Sequence, residues 1–161
     1  MPELYNDKSA QIGLFFEQLG RGEGFEKDVI NLLKLAGHQA WKSDDRDYDL
    51  NILLSVPLFG DFKVTGECKL DERAESTGNL ALGVMSFGKP SGINRRGANP
   101  DLWFHGVAGE VWIMKTEAIR NLCHIHRKTW GHRRVKCGCN EAIMMPITVA
   151  RKAVGGTWVS L

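Results

Sequence analysis

Charged residues stand at the ends of two consecutive runs that otherwise have the composition of buried strands. The first run, residues 48–56, is mostly aliphatic after its acid, Asp49. The second run, residues 62–70, places Glu67 and Lys69 on one face, because side chains at i and i+2 of a strand point the same way. The turn-like residues between the two runs predict a β-hairpin. Charges at the edge of a core are costly unless they hold a cation, take part in chemistry or neutralise one another.

The remaining segments predict a mixed α/β fold built around one sheet. Residues 8–20 predict a short helix, the glycine-containing residues 21–24 a break, and residues 25–36 a strongly amphipathic second helix. Further elements are expected as strands at 38–42, 102–105 and 111–114, a strand or packing segment at 80–87, a helix at 117–124 and an apolar stretch at 142–149. The order of helices and strands is that of a sheet flanked by helices.

Length and composition are those of one globular domain. The 161 residues are 43% hydrophobic and 25% charged, so residues 1–161 are predicted to form a single domain. No apolar run is long enough to span a bilayer, and the first residues lack the basic-then-apolar order of a signal peptide. We therefore expect an intracellular protein with no membrane partner.

The charges are distributed unevenly along the chain. Residues 1–75 carry 9 Lys and Arg against 15 Asp and Glu, whereas residues 76–161 carry 12 against 4. An acidic half beside a basic half is consistent with a metal-binding pole and an anion-binding surface. It is equally consistent with a charged, solvated surface that has no partner.

The charged strand ends contain the groups that phosphodiester hydrolysis requires. Asp49 and Glu67 on neighbouring strands could share a Mg²⁺ ion, which prefers hard oxygen ligands. Lys69 could orient the attacking water or stabilise the transition state. A third acid, Glu26, lies in the first turn of the predicted amphipathic helix. The alternative is a simple ion pair between Lys69 and Glu67.

These residues resemble the signature of the PD-(D/E)XK nuclease superfamily, in which an Asp is followed by Asp or Glu, any residue and Lys. Within the superfamily, the chain is most similar to the archaeal-type Holliday junction resolvases. The similarity covers residues 24–70 and rests on segments in the same order and at similar spacing, namely Phe25-Glu26, Gly37-His38, Trp41-Lys42-Ser43, Tyr48-Asp49-Leu50 and Glu67-Cys68-Lys69.

The resemblance implies a restriction-endonuclease-like mixed central sheet and a Mg²⁺-dependent DNA endonuclease, with Mn²⁺ able to substitute. Glu26, Asp49 and Glu67 would be the metal-site acids, Lys69 the catalytic lysine and Ser43 the loop serine near the scissile phosphate. The segment 71–100 departs from the archaeal pattern and resembles phage-encoded members. The resemblance therefore places the protein in the cytoplasm of a prokaryotic cell or of a phage-infected host.

Polar and basic residues after the second strand are candidate phosphate contacts. They are Ser76, Thr77, Asn79, Lys89, Ser91, Arg95 and Arg96. A second basic cluster surrounds Trp130 and comprises Arg127, Lys128, Arg133, Arg134 and Lys136. In both segments the alternative interpretation is an ordinary solvated surface loop.

Four cysteines in a chain of this size do not indicate a disulfide framework. Cys68 lies inside a predicted core strand and is interpreted as a small buried hydrophobic residue. Cys123, His126, Cys137 and Cys139 are a candidate zinc site, although Cys-x-Cys is a less usual spacing than Cys-x₂-Cys. The alternative is a set of reduced cysteines in a basic loop.

The leading functional hypothesis is a Holliday junction resolvase that acts as a homodimer, since two symmetric cuts require two active sites. The predicted dimer interface is either the apolar residues Leu80, Leu82, Val84, Met85 and Phe87 or the stretch 143–149. The alternatives are a restriction-type or homing endonuclease that reads a sequence, and a DNA-binding module without catalytic activity.

Overall fold

The structure, a computed structural model, describes the backbone of residues 8–95, 99–126, 134–137 and 140–161, and the side chains of 17–95, 99–126 and 140–161. The elements in chain order are α1 (Lys8–Leu35), β1 (Gln39–Lys42), β2 (Leu50–Val56), β3 (Gly60–Leu70), α2 (Ala74–Thr77), β4 (Asn79–Ser86), β5 (Lys89–Pro90), a 3₁₀ turn (Gly92–Asn94), β6 (Leu102–Val107), β7 (Glu110–Lys115), α3 (Thr116–His126), β8 (Arg134–Cys137), β9 (Asn140–Pro146), α4 (Ile147–Lys152) and β10 (Thr157–Ser160).

Six strands form the main sheet in the order β1-β2-β3-β6-β7-β10. Strands β2 and β3 form the predicted antiparallel hairpin, in which Leu50 pairs with Gly66. Strands β3 and β6 run parallel, so this sheet contains both kinds of pairing. The protein is therefore a mixed α/β protein with a mixed sheet flanked by helices, which confirms the predicted class at that level.

A second sheet, in the order β5-β4-β9-β8, was not anticipated as a separate layer. Its centre is the antiparallel pair β4 and β9, in which Leu82 pairs with Ile143 and Leu80 with Met145. The segment 80–87, whose place was left open, thus belongs to this second sheet. The apolar stretch 142–149 splits between strand β9 and helix α4.

Two apolar clusters hold these layers together. One cluster lies between α1 and the main sheet and includes Phe25, Val29, Leu50 and Phe104. The other joins the main sheet to the second sheet and α3, and its fully buried members include Leu80, Leu82, Val84, Trp112, Ile119 and Met145. The main sheet is consequently covered on both faces.

The packing of β4 corrects the predicted dimer interface. The side chains of Leu80, Leu82 and Val84 are completely buried within the chain itself and cannot form a surface for a second copy. Ile143 and Met145, from the other candidate stretch, are buried in the same cluster. Of the residues proposed on β4 and just after it, Phe87 is the one with a largely exposed side chain.

The predicted break at residues 21–24 is wrong, because α1 runs without interruption from Lys8 to Leu35. Each internal glycine disfavours a helix by about 1 kcal/mol relative to alanine. Arg21 offsets part of that cost by pairing with Glu17 one turn earlier and, at 2.7 Å, with Glu72 after β3. The buried apolar side chains of the second half fix the helix on the sheet.

Within the described ranges, no helix combines the length and the apolar character that are needed to cross a bilayer.

Candidate active site

The β2–β3 hairpin brings Asp49 next to Glu67. The backbone N–H of Asp49 donates to the carbonyl of Gly66 at 3.0 Å, which continues the ladder one residue beyond β2. The Asp49 carboxylate in turn accepts a hydrogen bond from the backbone N–H of Cys68 at 2.7 Å. This contact holds the Asp49 carboxylate against β3, the strand that carries Glu67.

Alternation along β3 places Glu67 and Lys69 on the face of the strand that points away from helix α1. Gly66 faces the α1 cluster, because a Cβ on it would lie 2.9 Å from the ring of Phe104. Cys68 packs against the same cluster. Glu67 and Lys69 therefore project from the opposite face, where they line a shared cavity.

The two carboxylates are held in a partly desolvated environment. Burial, with a further contribution from the Asp49 carboxylate, raises the pKa of Glu67 to about 7. Burial also raises the pKa of Asp49, although the Cys68 hydrogen bond and Lys69 oppose that shift. Both carboxylates resist ionisation, and a bound cation would favour their ionised forms and so offset the cost of burying them.

Glu26, the third predicted acid, makes a different contact. Its Oε2 lies 3.1 Å from Nζ of Lys42, which also lies 3.3 Å from Glu23. The Glu26 charge contributes to the raised pKa of Glu67. Within the described part of the chain, no three His, Cys, Asp or Glu side chains are grouped closely enough to hold a metal ion. The oxygen donors of Asp49 and Glu67 suit Mg²⁺, whereas Glu26 is engaged by Lys42.

The loop before Asp49 is shaped by Ser43 and Arg95. The N–H of Ser43 donates to the Asp49 carbonyl at 2.7 Å, and its Oγ accepts from the N–H of Asp45 at 3.0 Å. Arg95 donates to the carbonyls of Arg46 and Asp47 at 3.2 and 3.0 Å. Its guanidinium also opposes the upward shifts in the pKa of Asp49 and Glu67, so the charge of a predicted phosphate contact acts on both acids.

The structure places the other predicted phosphate contacts in different parts of the molecule. Ser91 lines the cavity beside Glu67 and Lys69. The side chains of Ser76, Thr77 and Asn79 instead make local hydrogen bonds around α2 to Arg73 and Thr77 carbonyls. The side chain of Lys89 lies exposed on β5, and Arg96 lies outside the described residues. Arg127, Lys128, Trp130 and Arg133 also lie outside them, as do the side chains of Arg134 and Lys136.

Cys123, the first residue of the candidate zinc set, lies in an apolar environment. This side chain belongs to the core cluster under α3, and burial raises its pKa to about 12. His126 lies at the end of α3, while Cys139 and the side chain of Cys137 lie outside the described residues.

Two groups beside the acids were not identified from the sequence. Asn140 and Glu141 of β9 line the same cavity as Glu67 and Lys69, although they stand more than 70 residues further along the chain and no local pattern connects them. Asp71 follows Lys69 on the same face and forms a hydrogen-bond network. Its carboxylate accepts a hydrogen bond from the backbone N–H of Ala81 at 2.7 Å and lies 3.4 Å from Nε2 of His105. The alternation of β3 could have placed Asp71 on this face.

Comparisons with protein-family models, with curated proteins and with solved structures give no match to this chain.

Proposed function

We propose that the protein is a divalent-metal-dependent DNA endonuclease with a restriction-endonuclease-like active site of the PD-(D/E)XK type. The observation that carries this proposal is the meeting of Asp49, Glu67 and Lys69 at one end of the β2–β3 hairpin, beside a cavity. The raised pKa values of both acids support it, because an ordinary surface ion pair would leave them ionised and solvated.

Mg²⁺ bound by Asp49 and Glu67 would polarise a water molecule and neutralise charge on the phosphate. The protein's own groups have separate tasks. The Cys68 N–H holds the Asp49 carboxylate in place, and Lys69 supplies a positive charge for the phosphate oxygens in the transition state. Arg95, whose charge acts on both acids, would contact the DNA backbone.

We further propose the four-way DNA junction as the favoured substrate, cut by a homodimer whose two active sites are related by a two-fold axis. This part of the proposal is supported by the order and spacing of the motif from Glu26 to Lys69, which resembles that of the archaeal-type resolvases. Binding to one defined DNA sequence would require side chains that reach base edges in a groove.

The decisive measurement is cleavage of a synthetic four-way junction and of linear duplex with the same sequences, with Mg²⁺, with Mn²⁺ and with EDTA. Wild-type protein should cut the junction faster, and only with metal. Glu67→Gln and Lys69→Ala should each lower the cleavage rate by at least about 100-fold, since each removes a group needed in the transition state.

Matched controls lie on the same strand, at the exposed far end of β3. Asp61→Asn and Lys63→Ala remove the same kinds of charge there and should leave the rate within about threefold of wild type, as expected for surface positions. If wild-type protein binds DNA but cuts none in any metal, the protein is a binding module and the proposal is wrong. If Glu67→Gln cuts as well as wild type, the active site proposed at Asp49, Glu67 and Lys69 is wrong.

A further inference from the structure

The closed end of the β2–β3 hairpin, opposite the end that carries Glu67, presents large apolar side chains to solvent. Val56, Leu58, Phe59 and Phe62 are all exposed, and we call these four residues the tip patch. The side chain of Leu58 is fully exposed and that of Phe59 is 77% exposed. A contiguous exposed apolar patch of this kind marks a site of interaction with another molecule.

Leu58 also occupies a backbone position that favours glycine or asparagine. The N–H of Phe59 donates to the carbonyl of Val56 at 3.1 Å, which closes a β-turn with Pro57 and Leu58 as its central residues. Leu58 has a φ of 70°, the value of the second central residue in a type II turn, where Gly and Asn are preferred. A leucine here therefore serves neither the turn nor the core of its own chain.

A groove of about 570 Å³ begins beside the tip patch. Its floor consists of the half-buried apolar side chains of Leu54, Val64 and Leu102, which come from β2, β3 and β6. Leu54 pairs in register with Phe62, so the floor and the tip patch adjoin on the hairpin. We call this feature the sheet groove, and each chain thus carries both a projecting apolar tip and an apolar recess.

Two charged groups at the rim of the sheet groove are already engaged within the chain. The Asp101 carboxylate accepts hydrogen bonds from the N–H and the hydroxyl of Thr65 at 2.7 and 3.0 Å. Arg120 donates to the carbonyl of Ile93 and to the side-chain oxygen of Asn99. The apolar floor is therefore the part of the groove that gains most from being covered.

The distribution of charge favours a protein partner over nucleic acid. Within residues 54–64 the charged side chains are Asp61 and Lys63, which cancel. On the groove rim, the exposed Lys115 is likewise matched by the exposed Glu117. Contact with a DNA backbone requires an excess of Lys and Arg, whereas an apolar centre with a polar rim is the anatomy of a protein interface.

We propose that two copies of the chain form a two-fold dimer in which the tip patch of each copy inserts into the sheet groove of the other. A second copy fits because one chain carries both halves of the contact, and reciprocal insertion closes about a two-fold axis. The inference rests on the homodimer of the proposed function and deepens it by naming the interface.

The area of the contact is that of a stable interface. Large apolar side chains offer about 150–250 Å² each, so Leu58 and Phe59 together expose roughly 350 Å². Two tips that are each covered by an equal area of groove would bury on the order of 1,400 Å², and stable interfaces bury about 1,200–2,000 Å². The two tips are therefore sufficient to hold the copies together.

The test is sedimentation of the full chain without DNA. Wild-type protein should sediment as a dimer of twice 18.0 kDa. Leu58→Asn and Phe59→Ser should each raise the dissociation constant of the dimer at least about 30-fold, the effect of losing a central apolar contact. Because asparagine suits the φ of residue 58, Leu58→Asn should remain folded, which circular dichroism checks.

Leu35→Asn is the matched control. It makes the same change at a largely exposed leucine that lies beside Leu161, outside the tip patch and the sheet groove. Its dissociation constant should stay within about threefold of wild type. A wild-type monomer, or folded tip variants that dimerise as well as wild type, would overturn the inference.

A mixing experiment tests the reciprocal insertion itself. Leu54→Glu places a charge in the sheet groove and should also weaken the dimer, and Leu102→Glu replaces it if a melting curve shows that Leu54→Glu is unfolded. A mixture of Leu58→Asn with the groove variant should dimerise more tightly than either variant alone, because the mixed dimer keeps one intact tip in one intact groove. A mixture of folded variants that dimerises no better than its components would overturn the inference.

DNA assays separate this inference from the nuclease function. A wild-type monomer that cuts DNA with Mg²⁺ would overturn the interface and leave the cleavage chemistry standing. A dimer that dissociates in the tip variants but cuts no DNA would support the interface and overturn the nuclease. Tip variants that remain dimers but bind DNA more weakly than wild type would assign the tip patch to DNA and so overturn the inference.

Discussion

At the scale of single residues, the fold holds the Glu67 carboxylate at a cost. Burial and the neighbouring Asp49 raise the pKa of Glu67 to about 7, from an ordinary value of 4.5. The folded state therefore disfavours the ionised form. The protein loses stability as the pH rises from 4.5 towards 7, and the loss is complete above that range. A cation held between Asp49 and Glu67, as proposed above, would offset this cost.

Replacing Glu67 with glutamine should therefore stabilise the protein at high pH. The Glu67→Gln variant keeps the shape but cannot ionise, so its free energy of unfolding at pH 8.5 should exceed that of wild type by on the order of 2 kcal/mol. At pH 4 the two proteins should be nearly equal. Urea unfolding at both pH values checks this, and a variant that is less stable than wild type at pH 8.5 would contradict it.

The pKa of Asp71 is shifted in the opposite direction to that of Glu67. Burial alone would raise its pKa, but hydrogen bonds from His105 and from the N–H of Ala81 outweigh that and lower the pKa below 3.8. The ring of His105 accepts from Trp103 through Nδ1, which places its proton on Nε2 facing Asp71. The carboxylate thus ties β3, β4 and β6 together.

Asp71→Asn should lower the free energy of unfolding at pH 7 by about 1–3 kcal/mol, because charge-assisted hydrogen bonds are lost. The stabilisation by Asp71 is fully present above its ordinary pKa and is lost as the pH falls through the lowered one, so the difference should shrink below about pH 4. Unfolding curves from pH 3 to 7 measure this. Asp61→Asn, at an exposed position of β3, is the control and should show no such trend.

At the scale of elements, α1 combines an exposed segment with a segment that packs tightly on the main sheet. Gly20 lies in the exposed middle of the helix, where an added Cβ would meet no atom within 4 Å. Gly106 of β6 is covered by the helix instead, since a Cβ there would lie 2.5 Å from the ring of Phe25. There is therefore room for a side chain at Gly20 of the helix. At position 106 of the sheet, by contrast, the ring of Phe25 leaves room only for glycine.

Gly20→Ala should raise the free energy of unfolding by about 0.5–1 kcal/mol through helix propensity. Gly106→Ala should lower it by about 1–3 kcal/mol, because the ring of Phe25 must move in a packed core. Thermal and urea unfolding of the two variants check this pair of opposite effects. Destabilisation by Gly20→Ala would indicate that α1 is not continuous through residue 20 in solution.

At the scale of the whole molecule, one chain carries one set of Asp49, Glu67 and Lys69. Paired cuts in a four-way junction require two such sets, so we expect a dimer of twice the 18.0 kDa chain mass. The buried side chains of Leu80, Leu82 and Val84 show that the contact surface must lie elsewhere than the inner face of β4.

Mixed dimers test that assembly. Wild-type protein mixed with excess Glu67→Gln should convert junctions mainly to singly nicked products, because each mixed dimer has one working site. Sedimentation in the absence of DNA gives the mass of the particle. A monomer that resolves junctions by two independent cuts, at any excess of the inactive variant, would contradict the dimer.

The parts of the fold that follow from local pattern were predictable. The period-2 alternation from Phe62 to Leu70 and the aliphatic run after Asp49 predicted the hairpin, and with it the neighbouring positions of Asp49 and Glu67. The spacing of Phe25, Val29 and Leu33 predicted the half of α1 that packs on the sheet. In these segments, propensity and burial favour the same structure.

Where the prediction was wrong, contacts distant in sequence outweighed the local signal. Glycine near Arg21 predicts a helix break, but the pairing of Arg21 with Glu72, 51 residues away, accompanies a continuous helix. The strand β10 was missed because its four residues are stabilised by pairing with β7 and carry little signal of their own. Local propensity is a weak prior that tertiary packing overrides.

The sequence by itself determined which reactive groups share an element: Glu67 with Lys69 by the period of a strand, and Asp49 by the hairpin that returns beside them. Only the tertiary structure decided what surrounds them. Strand β9 of the second sheet places Asn140 and Glu141 at the cavity, the residue after β5 adds Ser91, and Lys42 pairs with Glu26. Spacing along a strand is fixed by backbone geometry, whereas the meeting of distant segments depends on how their apolar faces pack together.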